Sequence, residues 1–469
     1  MPPGTADHGP LECRRALEAL RNGVPSRDAV AMLGCDQPAI QRRFEEMLAS
    51  VAGTSDLTDD SRGMLVSGDF GSGKSHLLAH LEHLALRQGF VCSTVAISKE
   101  TPFWDLGKVF RSALVNCRVP ERNGRPIEEL GLALDTRSAA YDDFFRWSDD
   151  ETASGLSPMF PASLLVHERL NDPELTRQIE DFWAGDPLRK VQINSGLRGI
   201  GQLANYRFRA PRGADLPPQR LRFMSRLIRA AGYKGWVVLL DEIELVAQYS
   251  ILQRARSYSE LPRWLGRAPG GSEPGLVAVA TVTGDFALEI ISPDGTKKDR
   301  DYVAAKLAKR YQHLTGLADT GMRILESEAM PLGTPDLHDV AATLEKVRQI
   351  YSTAYSWEAP ELPLEPRGAG FQNRMRYRVR AAITEWDLRR FDPAYIPQIE
   401  GQEFHHGYEE NVDLERASPE DEDGGPAGTD GHAGSVEPAN ESRPGTDAVE
   451  AADAASHQPD SPGGAAAPA

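Results

Sequence analysis

Residues Gly68-Asp69-Phe70-Gly71-Ser72-Gly73-Lys74-Ser75 follow the order G-x-x-x-x-G-K-[ST], a spacing that cradles phosphate. Glycine lets the backbone wrap around an anion with successive N–H groups turned inward, and the start of a helix adds the positive end of its dipole. Lys74 is then placed to bridge the β- and γ-phosphates of a nucleoside triphosphate, and Ser75 to put its hydroxyl on Mg²⁺. A second constellation is the apolar run Trp236 to Leu240 followed by Asp241 and Glu242. Ionised groups that close an apolar strand cost free energy unless they are paired or metal-bound. The expectation is that Asp241 holds Mg²⁺, directly or through water, and that Glu242 polarises an attacking water. An acid aimed at water favours hydrolysis over transfer to a small molecule.

These side chains need elements to hold them, and the flanking pattern supplies them. Met64 to Ser67 reads as a strand, residues 68–73 as a turn, Lys74 to Arg87 as a helix with Leu77, Leu78, Leu81, Leu84 and Ala85 on one face, and Phe90 to Ile97 as a second strand. This βαβ opening is the context that a phosphate loop requires. Strand character returns at 236–240 and at Leu276 to Thr283, with a helix over about 244–265 between them, which predicts neighbouring parallel strands. Residues from about 100 to 230 read as mostly helical, with turn clusters at Pro120 to Pro126 and Pro211 to Pro218. The first 50 residues read as short helices broken at Pro25, followed by a polar loop at 55–61. Residues 302–316, 336–355 and roughly 370–390 are expected to be helical, and a short strand is expected near Met322 to Leu325. There is no internal repeat.

The chain has 469 residues, 40% of them apolar and 26% charged, which fits a globular protein with a large core. The longest apolar runs are far shorter than the roughly 18 residues of a membrane helix, and the segment beginning Met1-Pro-Pro-Gly lacks a signal pattern, so a soluble cytoplasmic protein without membrane contact is expected. Cys13, Cys35, Cys92 and Cys117 are far apart, which removes a zinc ribbon and a dense disulfide framework. The net charge of −17 is concentrated at the end, since residues 409–469 carry 15 acids and 2 bases. The remaining body is close to neutral and can still carry a local basic face. Beyond about residue 401 the composition is too poor in apolar surface to offset ordering entropy, so 401–469 is expected to be a disordered acidic tail.

The succession after Asp241 and Glu242 is a helix, a strand ending in Thr281-Val-Thr283, a helix ending in Lys309-Arg310, a short strand and then helices. That order resembles AAA+ ATPases. The implied fold class is α/β: a P-loop NTPase, AAA+-like, whose parallel sheet carries N-terminal helices (1–54), a core (55–325) with a helical insertion at about 100–230, and a C-terminal helical lid (326–400). By the same resemblance Thr283 touches the γ-phosphate side and Arg310 is an arginine finger acting on a neighbouring subunit's nucleotide; the plainer readings are a strand-end hydroxyl and an ordinary surface or ion-pair arginine. Four segments go further: Ala16 to Arg27, Gly68 to Leu78 with His76 after the loop, Ile97-Ser-Lys-Glu-Thr-Pro, and Val237 to Leu245. Over roughly residues 10–400 they resemble the ATP-binding proteins of BREX phage-defence systems. The resemblance implies ATP and Mg²⁺ as cofactors, self-association, other defence-system proteins as partners, and work connected with DNA.

Other features have plainer readings. His76, His80 and His83 share one helical stripe, where zinc binding competes with an ordinary polar face. His405 and His406 are expected at the surface. Arg374, Arg376, Arg378 and Arg380, interleaved with Tyr377, form the densest basic stretch and are a candidate for DNA contact, for a solvated face or for a lid arginine. Gln253, Arg254 and Arg256 either line an oligomer pore or pair with nearby acids, and pairing is the expectation. Two alternatives to an assembling ATPase stay open: a nucleotide-dependent regulatory switch without DNA contact, and a DNA- or helicase-loading factor.

Overall fold

The computed structural model describes residues 9–23, 26–53, 62–206, 208–271, 273–363 and 375–395, all within the first of two units, residues 1–418 and 419–469. The polar loop at 55–61, Arg374, His405, His406 and the acidic tail lie outside the described residues.

Three helices come first: α1 (Pro10–Asn22), α2 (Arg27–Leu33) and α3 (Pro38–Gly53). The βαβ unit follows as β1 (Gly63–Ser67), α4 (Lys74–Arg87) and β2 (Val91–Ala96). The insertion is helical, as its sequence predicts: α5 (Leu106–Val115), α6 (Pro126–Leu132), α7 (Ala139–Asp149), α8 (Glu151–Ser154), α9 (Met159–Arg169), α10 (Pro173–Ala184), α11 (Lys190–Gly199) and α12 (Leu216–Ala230). It also holds β3 (Cys117–Arg118), a two-residue edge strand too short to leave a pattern. The core resumes with β4 (Trp236–Asp241), α13 (Ile251–Trp264), β5 (Leu276–Val282), α14 (Asp299–Ala308), α15 (Thr315–Ser327) and β6 (Met330–Pro331), and the chain continues through α16 (Leu337–Tyr355) and α17 (Met375–Phe391).

The strands form one sheet in the order β3-β2-β4-β5-β1-β6, parallel except for the antiparallel β2–β3 edge. Alternation sends Trp236, Val238 and Leu240 to one face and Val237 and Leu239 to the other, and β5 divides in the same way. Both faces are apolar because both are covered. α3 and α4 cover one side with Ile40, Phe44, Leu77 and Leu81, and the insertion helices with α13 and α15 cover the other. A third core joins α1 and α2 to α16 and α17 through Ala16, Leu17, Tyr351 and Trp386.

The strand expected near Met322 to Leu325 is instead the last part of α15, and the edge strand lies a few residues later at 330–331. Ala318, Met322 and Leu325 are buried at helical spacing. Gly321 lets α15 press against α13, since a Cβ there would sit 1.9 Å from the Tyr258 carbonyl oxygen. Arg254 pairs with an acid as expected: its guanidinium grips buried Asp299 through two bonds of 2.7 and 2.8 Å, and the Tyr258 hydroxyl donates to the same carboxylate at 2.6 Å. Arg256 stacks over the Trp104 ring at 4.4 Å. All four cysteines are free thiols. Among the described residues no helix is long and apolar enough to cross a membrane.

Candidate functional site

The phosphate loop leaves β1 at Ser67 and enters α4 at Lys74, with Gly71 at φ 77° and Gly73 at φ 108°, conformations that side-chain-bearing residues rarely adopt. The start of the loop is tied to the neighbouring strand by the Gly68 N–H donating to the Val282 carbonyl at 3.1 Å. β5 lies between β1 and β4, so the ends of three strands bring the loop, Thr283 and the acidic pair to one edge of the sheet. Asp69 of the loop is close enough to the residue after Thr283 that a Cβ on Gly284 would sit 3.3 Å from its carboxylate.

Lys74 is buried and donates to the Gly68 carbonyl at 2.9 Å and to the Asp69 carbonyl at 3.4 Å. Its ammonium is also 3.4 Å from Glu244, an acid that the sequence reading passed over. Glu244 is only 5% exposed and one of its oxygens, Oε2, is buried without a hydrogen-bond partner. Burial pushes its carboxyl above the usual range, against the pull of Lys74. The signal was present as a second acid two residues after Glu242, on a 3-10 turn (Ile243–Gln248) whose apolar neighbours carry it inward.

Asp241 is buried, and both hydrogen bonds to its carboxylate fall on Oδ1: the Thr281 hydroxyl donates at 2.6 Å and the Glu242 N–H at 3.0 Å. That leaves Oδ2 for a ligand. Thr281 is therefore a second partner that sequence reasoning missed, although it sits one alternation before Thr283 on the central strand. Glu242 is exposed with φ 62°, left-handed backbone held at a residue that has a Cβ. Thr283 is buried at the end of β5.

A cavity of about 810 Å³ opens at the loop, within the usual range for small-ligand sites. Gly71, Ser72, Gly73, Ser75 and His76 form one wall. The α2–α3 connection from Gly34 to Pro38, Thr343 and Lys346 of α16, and Met375 and Arg376 of α17 also line it. The His76 Nε2 is 2.6 Å from the Gly34 carbonyl, which can only accept, so Nε2 carries the proton. Burial lowers the His76 pKa, so the ring stays neutral. Of the three candidate arginines among the described residues, Arg376 reaches the loop, its guanidinium 5.6 Å from the Phe70 ring centroid. Arg378 is half-buried and Arg380 is exposed. Arg310 is exposed just beyond α14, with its guanidinium 5.6 Å from the Tyr311 ring, and does not line the cavity.

The family model described as BREX system ATP-binding protein BrxC/D matches residues 10–126 and 218–367. The chain belongs to this family. The matched residues contain the phosphate loop, Asp241, Glu242, Thr283 and the α2–α3 and α16 walls of the cavity, and the unmatched stretch between them is most of the helical insertion. No curated protein and no solved structure matches the chain. Membership makes it an ATP-binding protein of a phage-defence system.

The loop itself fits that ligand, although Lys74, Asp241, Glu242 and Thr283 do not line the cavity beside it. The Ser72 hydroxyl is buried without a partner in the loop wall, and Lys74 is folded back onto loop carbonyls with a half-satisfied acid behind it. Both are donors that a triphosphate would satisfy. Zinc on the histidine stripe finds no support, because His76 is committed to Gly34 and His80 lies 3.3 Å from the Gln41 side chain. The one grouping of metal-capable side chains among the described residues, Asp336, His338 and Asp339, uses both carboxylates to cap the first turn of α16.

Proposed function

We propose that this chain is a Mg²⁺-dependent ATP hydrolase of AAA+ type, acting in the cytoplasm as a self-associating member of a defence complex that works on DNA. The observation that carries this reading is the placement of β5 between β1 and β4. It brings Lys74, Thr283, Asp241 and Glu242 to one edge of the sheet, an arrangement that supports these roles for them. Backbone N–H groups of residues 68–75 and the Lys74 ammonium hold the phosphates. Ser75 and Asp241 would hold Mg²⁺, which supplies Lewis-acid neutralisation of phosphate charge. Glu242 orients and deprotonates the attacking water, and Thr283 donates to the γ-phosphate side. Residues 326–400 act as a lid on the 55–325 core, with Arg376 as the lid cation, a reading supported by α16 and α17 lining the same cavity as the loop.

Lys74→Ala is expected to weaken ATP binding, whereas Glu242→Gln keeps binding and lowers turnover by about 10²–10⁴-fold, the span for losing a positioned base. Nucleotide affinity and phosphate release are measured on both variants. Equal loss of binding in the two would make Glu242 structural and remove the hydrolytic assignment.

A further inference from the structure

The basic chemistry of this chain is arginine, 42 residues against 10 lysines. Four of those lysines, Lys297, Lys298, Lys306 and Lys309, fall within thirteen residues around α14. Of the other charges of this helix, Asp301 is exposed beside Lys298 and two are occupied. Asp299 is buried under Arg254, and Arg300 is bound to Asp319 and Glu326. Lys298, Lys306 and Lys309 are exposed, and none forms an ion pair among the described residues.

Helical spacing puts these cations in a row. Tyr302, Lys306 and Lys309 are separated by four and three residues and share one face, with Lys298 capping the helix four residues before Tyr302. Tyr302 is 54% exposed. From Lys298 to Lys309 the stripe runs about 16 Å along the axis at 1.5 Å per residue. Duplex DNA carries one phosphate per about 3.4 Å of axis on each strand, so the row can meet several successive phosphates. An exposed aromatic ring among such cations offers a stacking surface that suits a base or sugar. A lipid surface fits less well, because the apolar side chains of α14, Val303 and Leu307, are buried inward and leave nothing to insert. The stripe shares no residue with the cavity wall or with the phosphate loop, Asp241, Glu242 and Thr283.

We propose that the α14 stripe of Lys298, Tyr302, Lys306 and Lys309 is a nucleic-acid contact that grips the phosphate backbone without reading sequence. The inference does not depend on hydrolysis; it needs only this helix face.

The test is fluorescence anisotropy of the full chain with a labelled random-sequence duplex of about 30 base pairs, titrated over a range of salt concentrations. The variants are Lys306→Glu with Lys309→Glu, and a control of equal charge change on exposed residues elsewhere, Arg177→Glu with Lys234→Glu. The stripe variant is expected to lose about tenfold or more in affinity and to reduce the slope of log K against log salt by roughly 2, as for two lost phosphate contacts. The control should stay within about twofold of wild type. Unchanged melting temperature and ATP binding in both variants confirm folding. Tyr302→Ala should weaken binding to single strands more than to duplex. Equal losses in stripe and control variants, or no binding by wild type at low salt, would overturn the proposal. So would intact DNA binding with altered mass in light scattering, which would assign the stripe to contact between copies of the chain.

Discussion

At the scale of single residues, the site holds a buried charge that is balanced only while Lys74 faces Glu244. A carboxylate this deep is sustained by its ion pair, and removing one partner of a buried pair leaves the other charge uncompensated. If Lys74 binds phosphate as proposed, nucleotide draws the same ammonium away, and Glu244 then competes with ATP for it. Glu244→Gln is therefore expected to lower the melting temperature of the nucleotide-free protein by about 5 °C or more, since a stranded buried charge costs a few kcal/mol. Saturating ATP should recover more of that loss than it adds to wild type, because phosphate replaces the missing carboxylate. Differential scanning fluorimetry with and without ATP measures both terms. An equal ATP-induced rise in variant and wild type would show that the pair is indifferent to nucleotide. The strand–turn–helix setting of residues 68–75 and the place of Asp241 and Glu242 at the end of β4 were legible in the sequence, because both patterns have fixed residue types at fixed spacing beside apolar strands. Glu244 and Thr281 were not singled out, because a lone acid on a turn and a threonine inside a strand acquire roles only when β4 and β5 lie side by side.

At the scale of elements, the strands that carry the site were readable because they are buried on both faces and so run nearly continuously apolar, as β4 and β5 do. Short edge strands were not readable. β3 and β6 have two residues each, too few for any periodicity, and the apolar positions of α15 were misread as the last strand. The α2–α3 wall of the cavity was invisible for a different reason: Gly34 to Pro38 is a connection whose importance comes from docking against α4. That docking has a pH signature. His76, His80 and His83 all have lowered pKa values with burial as the main cause, and His80 falls from 6.5 to about 4. A folded state that resists protonation binds fewer protons than the unfolded chain between those values, so stability is lost as pH falls from about 6.5 toward 4 and is unaffected above that window. Gln at position 80 cannot titrate and can still bond Gln41. His80→Gln should accordingly be less destabilised than wild type on going from about pH 7.5 to about pH 5. Parallel melting curves for the two proteins over that range would show that the stripe is solvated and that its burial does not govern its titration.

At the scale of the whole molecule, the open question is whether one chain completes the site. The cavity is walled by residues of its own loop, α2–α3 connection, α16 and α17, and Arg310 is not among them. It lies exposed after α14, without an ion pair among the described residues. A cation delivered across a subunit boundary neutralises charge that develops only in the transition state, an effect of roughly 10³–10⁵ in rate where such fingers operate. If Arg310 acts this way, ATPase activity per chain rises with protein concentration, and Arg310→Ala abolishes it without reducing ATP affinity. Mixing Arg310→Ala with Lys74→Ala should then restore part of the rate. The first variant has an intact nucleotide site and the second an intact finger, so a mixed assembly contains boundaries with both. Turnover that does not depend on concentration, or no recovery on mixing when light scattering shows co-assembly, would leave Arg310 as a surface cation stacked on Tyr311. The nucleotide would then act within a single chain, as in a monomeric switch.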